Sequence, residues 1–167
     1  MSRCDWAMTD DALMVRYHDE EYGRKKTDDN ALFEKLCLEV FQAGLSWRTV
    51  LYKREAFREC FFGFNVAKAA AMTAQDIERL MNDKRIIRNR RKIEAVIHNA
   101  RRHLACFRQR GSFAEYVYTF LEPEALMRDL KSKGYRFIGG VICESFLLSV
   151  GAVSAHEPQC FLYKELS

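Results

Sequence analysis

The residues best suited to chemistry lie far apart in the 167-residue sequence. His156 and Cys160 stand in HEPQC, with Pro158 between them, and Cys4 and His18 stand in SRCDWAMTDDALMVRYHDEEYG. Two cysteines and two histidines are a donor set for structural zinc, which closes with four ligands at tetrahedral corners. The H-x3-C spacing puts one pair on one side of a turn. The other pair is split by thirteen residues, so a single site forms only if the two ends of the sequence meet. Spacing alone leaves open a surface histidine with unrelated buried thiols. His103 and Cys106 form a competing pair, but no second pair stands ready to complete it.

Charge marks a second chemical region. The segment KRIIRNRRKIEAVIHNARR, 84–102, carries eight basic residues against Glu94, a local +7 in a chain whose net charge is +4, so the remainder is −3. Such asymmetry suits a polyanion, although a solvated helix face would look the same. Within it, Asp83 to Lys92 joins two expected helices. A short join of this kind aims backbone amides and a helix N-terminus outward, where Lys84, Arg85, Arg88, Arg90, Arg91 and Lys92 could meet phosphates. It contains no glycine, and Asn89 is the residue suited to a left-handed position.

The elements that must position these groups read as helices. Asp28 or Asp29 can cap ALFEKLCLEVFQAG, whose Leu32, Phe33, Leu36, Cys37, Val40 and Phe41 form an apolar stripe, and Gly44 can end it. Ser46 caps SWRTVLYKREAFREC as one helix. Thr73 caps AQDIERLMND with Asp76 at the capping-box position. Ile93, Val96, Ile97, Ala100, Leu104 and Phe107 form a stripe after the basic turn. Ser112 caps FAEYVYTFL, Pro123 opens EALMRDLKSKG, Gly134 closes it, and IGGVICESFLLSVG supplies a last helix. No alternating strand pattern stands out, so the expected fold class is all-α, one domain or two small lobes sharing a core. The sequence has no apolar run long enough to span a membrane and no secretory h-region, so a cytoplasmic chain is expected. Six cysteines in such a chain read as thiols or metal ligands rather than disulfides.

Five blocks, RCDW at 3–6, YHDEEYG at 17–23, LFEKLCLEVFQAGLSW at 32–47, RNRRKIEAVIHNAR at 88–101 and KGYRFIGGVICESFL at 133–147, resemble in order and spacing the bacterial 3-methyladenine DNA glycosylase I family. The likeness runs nearly the whole length, and QAGLSW with the split Cys/His set are its most specific parts. It implies a helix-hairpin-helix glycosylase fold over 1–167, with two helical lobes sharing a cleft, and a structural Zn2+ held by Cys4, His18, His156 and Cys160. It implies a monomer that excises 3-methyladenine, a cationic alkylated purine, from double-stranded DNA. In that role Glu39 is the carboxylate that meets the base, Trp47 the stacking platform, and Tyr17, Trp6 and Tyr22 the remaining walls. Gly44 and Leu45 form the turn that fills the gap left by a flipped base, and Arg88, Arg90, Arg91 and Lys92 hold the backbone.

Three features depart from the family pattern: a short connection around LEPEALMRDLKSKG, Tyr22 in place of a tryptophan, and GGV at 139–141 in place of a threonine-containing turn. The region after the hairpin holds no aspartate, only Glu115, which fits a labile cationic base that needs little acid catalysis. Rival readings are a DNA-binding relative with impaired catalysis and a zinc-stabilised helical module that binds RNA or protein.

Overall fold

The computed structural model describes residues 1–164, and among them the regular structure is helical throughout. Helix α1, Ala12–Glu20, starts at Asp11, whose side chain accepts from the amides of Leu13 and Met14. Helix α2, Asp29–Gln42, starts at Asp28. Nine of its residues are buried, from Leu32 to Phe41, and they include Lys35 and Glu39. An element apolar on most sides belongs at the centre of a bundle. Its neighbours are α3 (Trp47–Tyr52), α7 (Arg90–Cys106), α8 (Ser112–Val117) and α10 (Gly140–Ser149). Helices α5 (Val66–Ala70) and α6 (Ala74–Met81) pack on α7, and α9 (Pro123–Ser132) packs on α10. The core is rich in phenylalanine, with Phe33, Phe41, Phe57, Phe61, Phe64, Phe113 and Phe146 fully buried. Each contributes roughly 1.5–3 kcal/mol by leaving water.

The expected caps at Thr73, with its Asp76 capping box, at Ser46 and at Pro123 are present. Gly44 and Gly134 end their helices at φ +78 and +89, a region in which a side chain is strained.

Several expectations need correction. The single helix from Ser46 is two, α3 and α4 (Arg54–Cys60), parted at Lys53. Leu51 joins a small cluster with Met14 and Tyr17, whereas Phe57 and Cys60 join the main core, and one straight helix could not serve both. Ser112 does not cap α8. Gly111 holds that position, and the Asp29 carboxylate accepts from the Gly111 and Ala114 amides across the bundle. Leu104 faces outward, and His103 takes the core position instead. Its ring packs against Phe33 and Phe113, it bonds the Tyr135 hydroxyl at 2.8 Å, and burial pushes its pKa down to about 4. His103 is therefore a core residue and not half of a metal pair. Asn89 is extended rather than left-handed, and its side chain caps α7 by accepting from the Lys92 amide. Helices α1 and α5 have no counterpart among the elements expected from the sequence.

Candidate active site and metal centre

The two ends of the sequence meet. Cys4, at the head of a short 3-10 turn, and His18, on the last turn of α1, lie beside His156 and Cys160, with all four donor atoms within 4.8 Å of one another. Cys4 Sγ is 3.5 Å from His156 Nδ1, and Cys160 Sγ is 3.5 Å from His18 Nε2 and 3.6 Å from His156 Nδ1. Zinc–sulfur bonds of about 2.3 Å and zinc–nitrogen bonds of about 2.0–2.1 Å at tetrahedral angles put sulfur and nitrogen about 3.5 Å apart, so the cluster has the size zinc needs.

The outer contacts also suit a metal. His18 Nδ1 lies 2.8 Å from Asp19, which Arg3 grips with two nitrogens, and His156 Nε2 donates to the Tyr22 carbonyl at 3.1 Å. Each ring thereby turns its remaining nitrogen toward the sulfurs. Backbone amides of Glu157 and Leu162 donate to the two sulfurs. Burial pushes the Cys4 thiol up to about 11, so a bare thiolate is disfavoured there and a cation would be needed to hold it. Gly23 is required at the edge, since a Cβ there would lie 2.9 Å from His156 Nε2. The other four cysteines are free thiols elsewhere.

The same segments wall a cavity of about 290 Å³. Trp6 follows Cys4 by two residues, Tyr17 precedes His18, and the Tyr22 carbonyl accepts from His156, so the walls hang on the cluster. The rings interlock: Trp6 meets Tyr22 edge-on at 5.0 Å between centroids, and Tyr17 lies 5.1 Å from Trp47. Trp47 opens α3, and its buried indole N–H has no hydrogen-bond partner among the described residues. From α2 come Gln42 and Glu39, the latter 4% exposed, and α10 closes the far side with Ser145, Leu148 and Ser149.

Sequence reasoning missed Lys35, one helical turn before Glu39. It is 6% exposed, and its Nζ lies 3.2 Å from Glu39 Oε1, donates to the Tyr17 hydroxyl at 2.8 Å and stands 3.3 Å from the centre of the Trp47 ring. Burial pushes its pKa below the usual lysine range, and the Glu39 carboxylate offsets part of that. The signal was present as an i,i+4 Lys–Glu pair on a helix whose other faces are apolar.

A second depression adjoins the first, lined by Gly44 and Leu45 on one lip and Val141 and Ile142 on the other. Leu45 is 44% exposed at the tip of its turn. On the basic turn, Arg88, Arg90 and Arg91 are exposed, with Arg90 paired to Glu78 at 2.7 Å. Lys92 does not belong with them. It is 6% exposed, and its ammonium donates to the carbonyls of Phe41 at 3.0 Å and Ala43 at 2.6 Å, so it is unavailable to a phosphate. Arg85 likewise engages Asp83 and Glu59.

Among the described residues the fold is all-helical, and it sets a buried carboxylate among aromatic faces beside a Cys2His2 cluster that could hold a metal ion. The methyladenine glycosylase family model matches residues 6–126 and 121–163. The chain belongs to that family. It is similar to DNA-3-methyladenine glycosylase 1 of Escherichia coli (strain K12), 41% identical with 98% of this chain and 97% of that one covered. It is similar also to DNA-3-methyladenine glycosylase of Haemophilus influenzae, 37% identical over 95% and 96% of the two chains. Among solved structures, a crystal structure of 3-methyladenine DNA glycosylase I superposes with a TM-score of 0.92 at 42% identity, covering 98% of this chain and 100% of the other. A Staphylococcus aureus 3-methyladenine DNA glycosylase I, solved for its recognition of 3-methyladenine, superposes at 0.91 with 35% identity, covering 100% and 99%.

Proposed function

We propose that this chain is a DNA glycosylase that hydrolyses the N-glycosidic bond of 3-methyladenine in DNA, the first step of base-excision repair. The observation that carries the reading is Glu39 buried in a cavity walled by Trp47, Tyr17, Trp6 and Tyr22. The target atom of a paired base is inaccessible, so a glycosylase flips the nucleotide into a pocket. A 3-methylated adenine is cationic in DNA and leaves as a neutral base, which weakens its bond to the sugar. Aromatic faces attract such a ring, and a carboxylate favours its charge and accepts from its amine. Glu39 is the acceptor in this reading, Trp47 the platform, and Tyr17, Trp6 and Tyr22 hold the ring edges. The likeness to relatives named for this lesion supports the substrate.

The proposed DNA contacts follow the same logic. Helix α6, the turn and α7 act as a helix-hairpin-helix element, with the α7 N-terminus and the exposed Arg88, Arg90 and Arg91 on a phosphate. Gly44 and Leu45 enter the duplex where the base leaves. The chain acts as one glycosylase domain, residues 1–167, of two helical lobes about this cleft, as a cytoplasmic monomer on double-stranded DNA. Cys4, His18, His156 and Cys160 would hold a structural zinc, and their cross-link would tie the segment carrying Trp6 to the end of α1, where Tyr17 lies, and to the turn after it, where Tyr22 lies. The cross-link would touch no base.

Incubating the protein with methylated duplex DNA and separating the liberated bases by chromatography tests the reading. Release of 3-methyladenine above the spontaneous rate is expected. No release from folded, metal-loaded protein would leave only a DNA-binding relative.

A further inference from the structure

A second cleft lies behind the wall of the base cavity. Tyr22 and Ser149 line the cavity, whereas their near neighbours Gly23 and Gly151 line the cleft, which holds about 580 Å³ against about 290 Å³. The two glycine backbones abut: a Cβ on Gly151, at φ +69, would lie 2.6 Å from the Gly23 carbonyl oxygen. Arg24, Lys25 and Lys164 also line the cleft, and among the described residues no aspartate or glutamate does. The ion pairs among the described residues use none of these three cations. Each is placed by something other than a carboxylate. Arg24 donates one nitrogen to the Asp19 backbone carbonyl at 2.8 Å, the Lys25 ammonium stands 4.6 Å from the centre of the Tyr118 ring, and the Ser154 hydroxyl donates to the Lys164 carbonyl at 3.4 Å. We propose that the cleft is a phosphate seat, in which Arg24, Lys25 and Lys164 take one phosphate-bearing anion between residues 23–25 and 153–164. It uses none of the groups assigned to the base and stands apart from the base-excision reading.

Charge and backbone both favour an anion there. Three like charges around a cleft without an acid repel one another, and an anion among them relieves that repulsion. A phosphate has several acceptor oxygens, so it can accept from the guanidinium and from both ammoniums together. Helix α10 ends at Ser149, two residues before Gly151, and bare carbonyls at a helix end would repel an anion. They are covered. The Leu147 and Leu148 carbonyls accept from the Ala152 and Gly151 amides, that of Ser149 from the Gly23 amide, and that of Val150 from the Tyr118 hydroxyl at 2.9 Å. Two sources carry the group that fits, a DNA strand and free phosphate in solution.

Titration calorimetry with inorganic phosphate, on the full chain in chloride buffer with metal content and melting temperature recorded, tests the seat. Saturable binding is expected. Arg24→Gln combined with Lys25→Gln should weaken it about tenfold or more. Lys164→Ala should act in the same direction, and decides the matter should the double variant fail to fold. Arg88→Ala with Arg91→Ala, on the basic turn, should leave phosphate binding unaltered. Absence of binding, binding that the cleft substitutions leave unaltered, or equal weakening by the basic-turn pair overturns the seat. The salt dependence of binding to undamaged duplex then names the source. A slope of log affinity against log salt that falls by about 0.9 in the cleft variant marks a DNA phosphate as the ligand, and an unaltered slope marks free phosphate. Release of 3-methyladenine from methylated DNA reports the base-excision reading separately, and its failure would leave the phosphate result standing.

Discussion

Lys92 donates its ammonium to the Ala43 carbonyl at 2.6 Å, and so fastens the first turn of α7 to the end of α2. It completes the C-terminal carbonyls that a helix leaves unpaired. Lys92→Met strands the Phe41 and Ala43 carbonyls and should cost roughly 1.5–3 kcal/mol of stability, the worth of a hydrogen bond to a charged group. Denaturant melts measure this. Because Lys92 is turned inward, the salt dependence of DNA binding should be unaltered in the variant.

Arg88 and Arg91 face solvent and should behave in the opposite way. Replacing both by alanine should leave the melting temperature nearly unmoved. The slope of log affinity against log salt should fall by up to about 1.8, at about 0.9 for each lost phosphate contact. Fluorescence anisotropy on undamaged duplex over a salt series measures it, and an unaltered slope means that the basic turn does not face DNA.

Glu39 should matter for chemistry and for the fold. Glu39→Gln removes the negative charge from the pocket and should lower 3-methyladenine release by one to two orders of magnitude, about 1.5–3 kcal/mol for a charged hydrogen bond. It also leaves Lys35 buried without its counter-ion, which is the costly half of breaking such a pair. A lower melting temperature is therefore expected alongside the lower rate, with binding to undamaged duplex little altered.

The cluster of Cys4, His18, His156 and Cys160 predicts a coupled loss. Purified protein should hold about one equivalent of zinc. Cys160→Ser should lose metal and stability together, because binding free energy here is folding free energy. The walls that carry Trp6 and Tyr22 should loosen at the same time, so chelation should weaken capture of free 3-methyladenine before the core melts. Metal analysis, melting and tryptophan fluorescence on one sample check all three.

His103 gives a pH signature away from the site. Its folded pKa, about 4, lies below the ordinary 6.5 because burial disfavours the charged ring. The unfolded chain therefore binds the proton first as pH falls. Stability is unaffected by this group above about pH 6.5, declines on the order of 3 kcal/mol down to about pH 4, and levels off below. NMR titration of the ring should show a neutral imidazole down to that range, and His103→Gln should flatten the corresponding part of the stability profile.

The sequence carried the helices whose ends have chemical punctuation: the Thr73 and Asp76 box, Ser46 and Pro123 all stand where local rules put them. What it could not carry was competition across the bundle. Asp28 and Asp29 are equivalent as local caps, and only the arrival of Gly111 gives Asp29 a different helix to cap. In the same way, six basic residues around one turn look alike in one dimension. Lys92 is set apart by the place where α2 ends. Of the site, the Cys/His set and the QAGLSW block were legible as patterns of residue type. Lys35 was not, because a buried ammonium becomes plausible only once Glu39, Tyr17 and Trp47 are seen to surround it.

The meeting of Cys4 with Cys160 turns nearly the whole chain into a closed ring when a metal bridges them. A cross-link around a loop on the order of 150 residues removes roughly 5 kcal/mol of chain entropy from the unfolded ensemble, in the simple loop-closure picture. The ring has a clasp rather than a weld. Each opening requires thiolates to give up a cation, so acid, chelators and thiol oxidation reach the same latch. Oxidation of Cys4 or Cys160 would therefore unfasten the molecule at the point where the walls carrying Trp6 and Tyr22 are anchored.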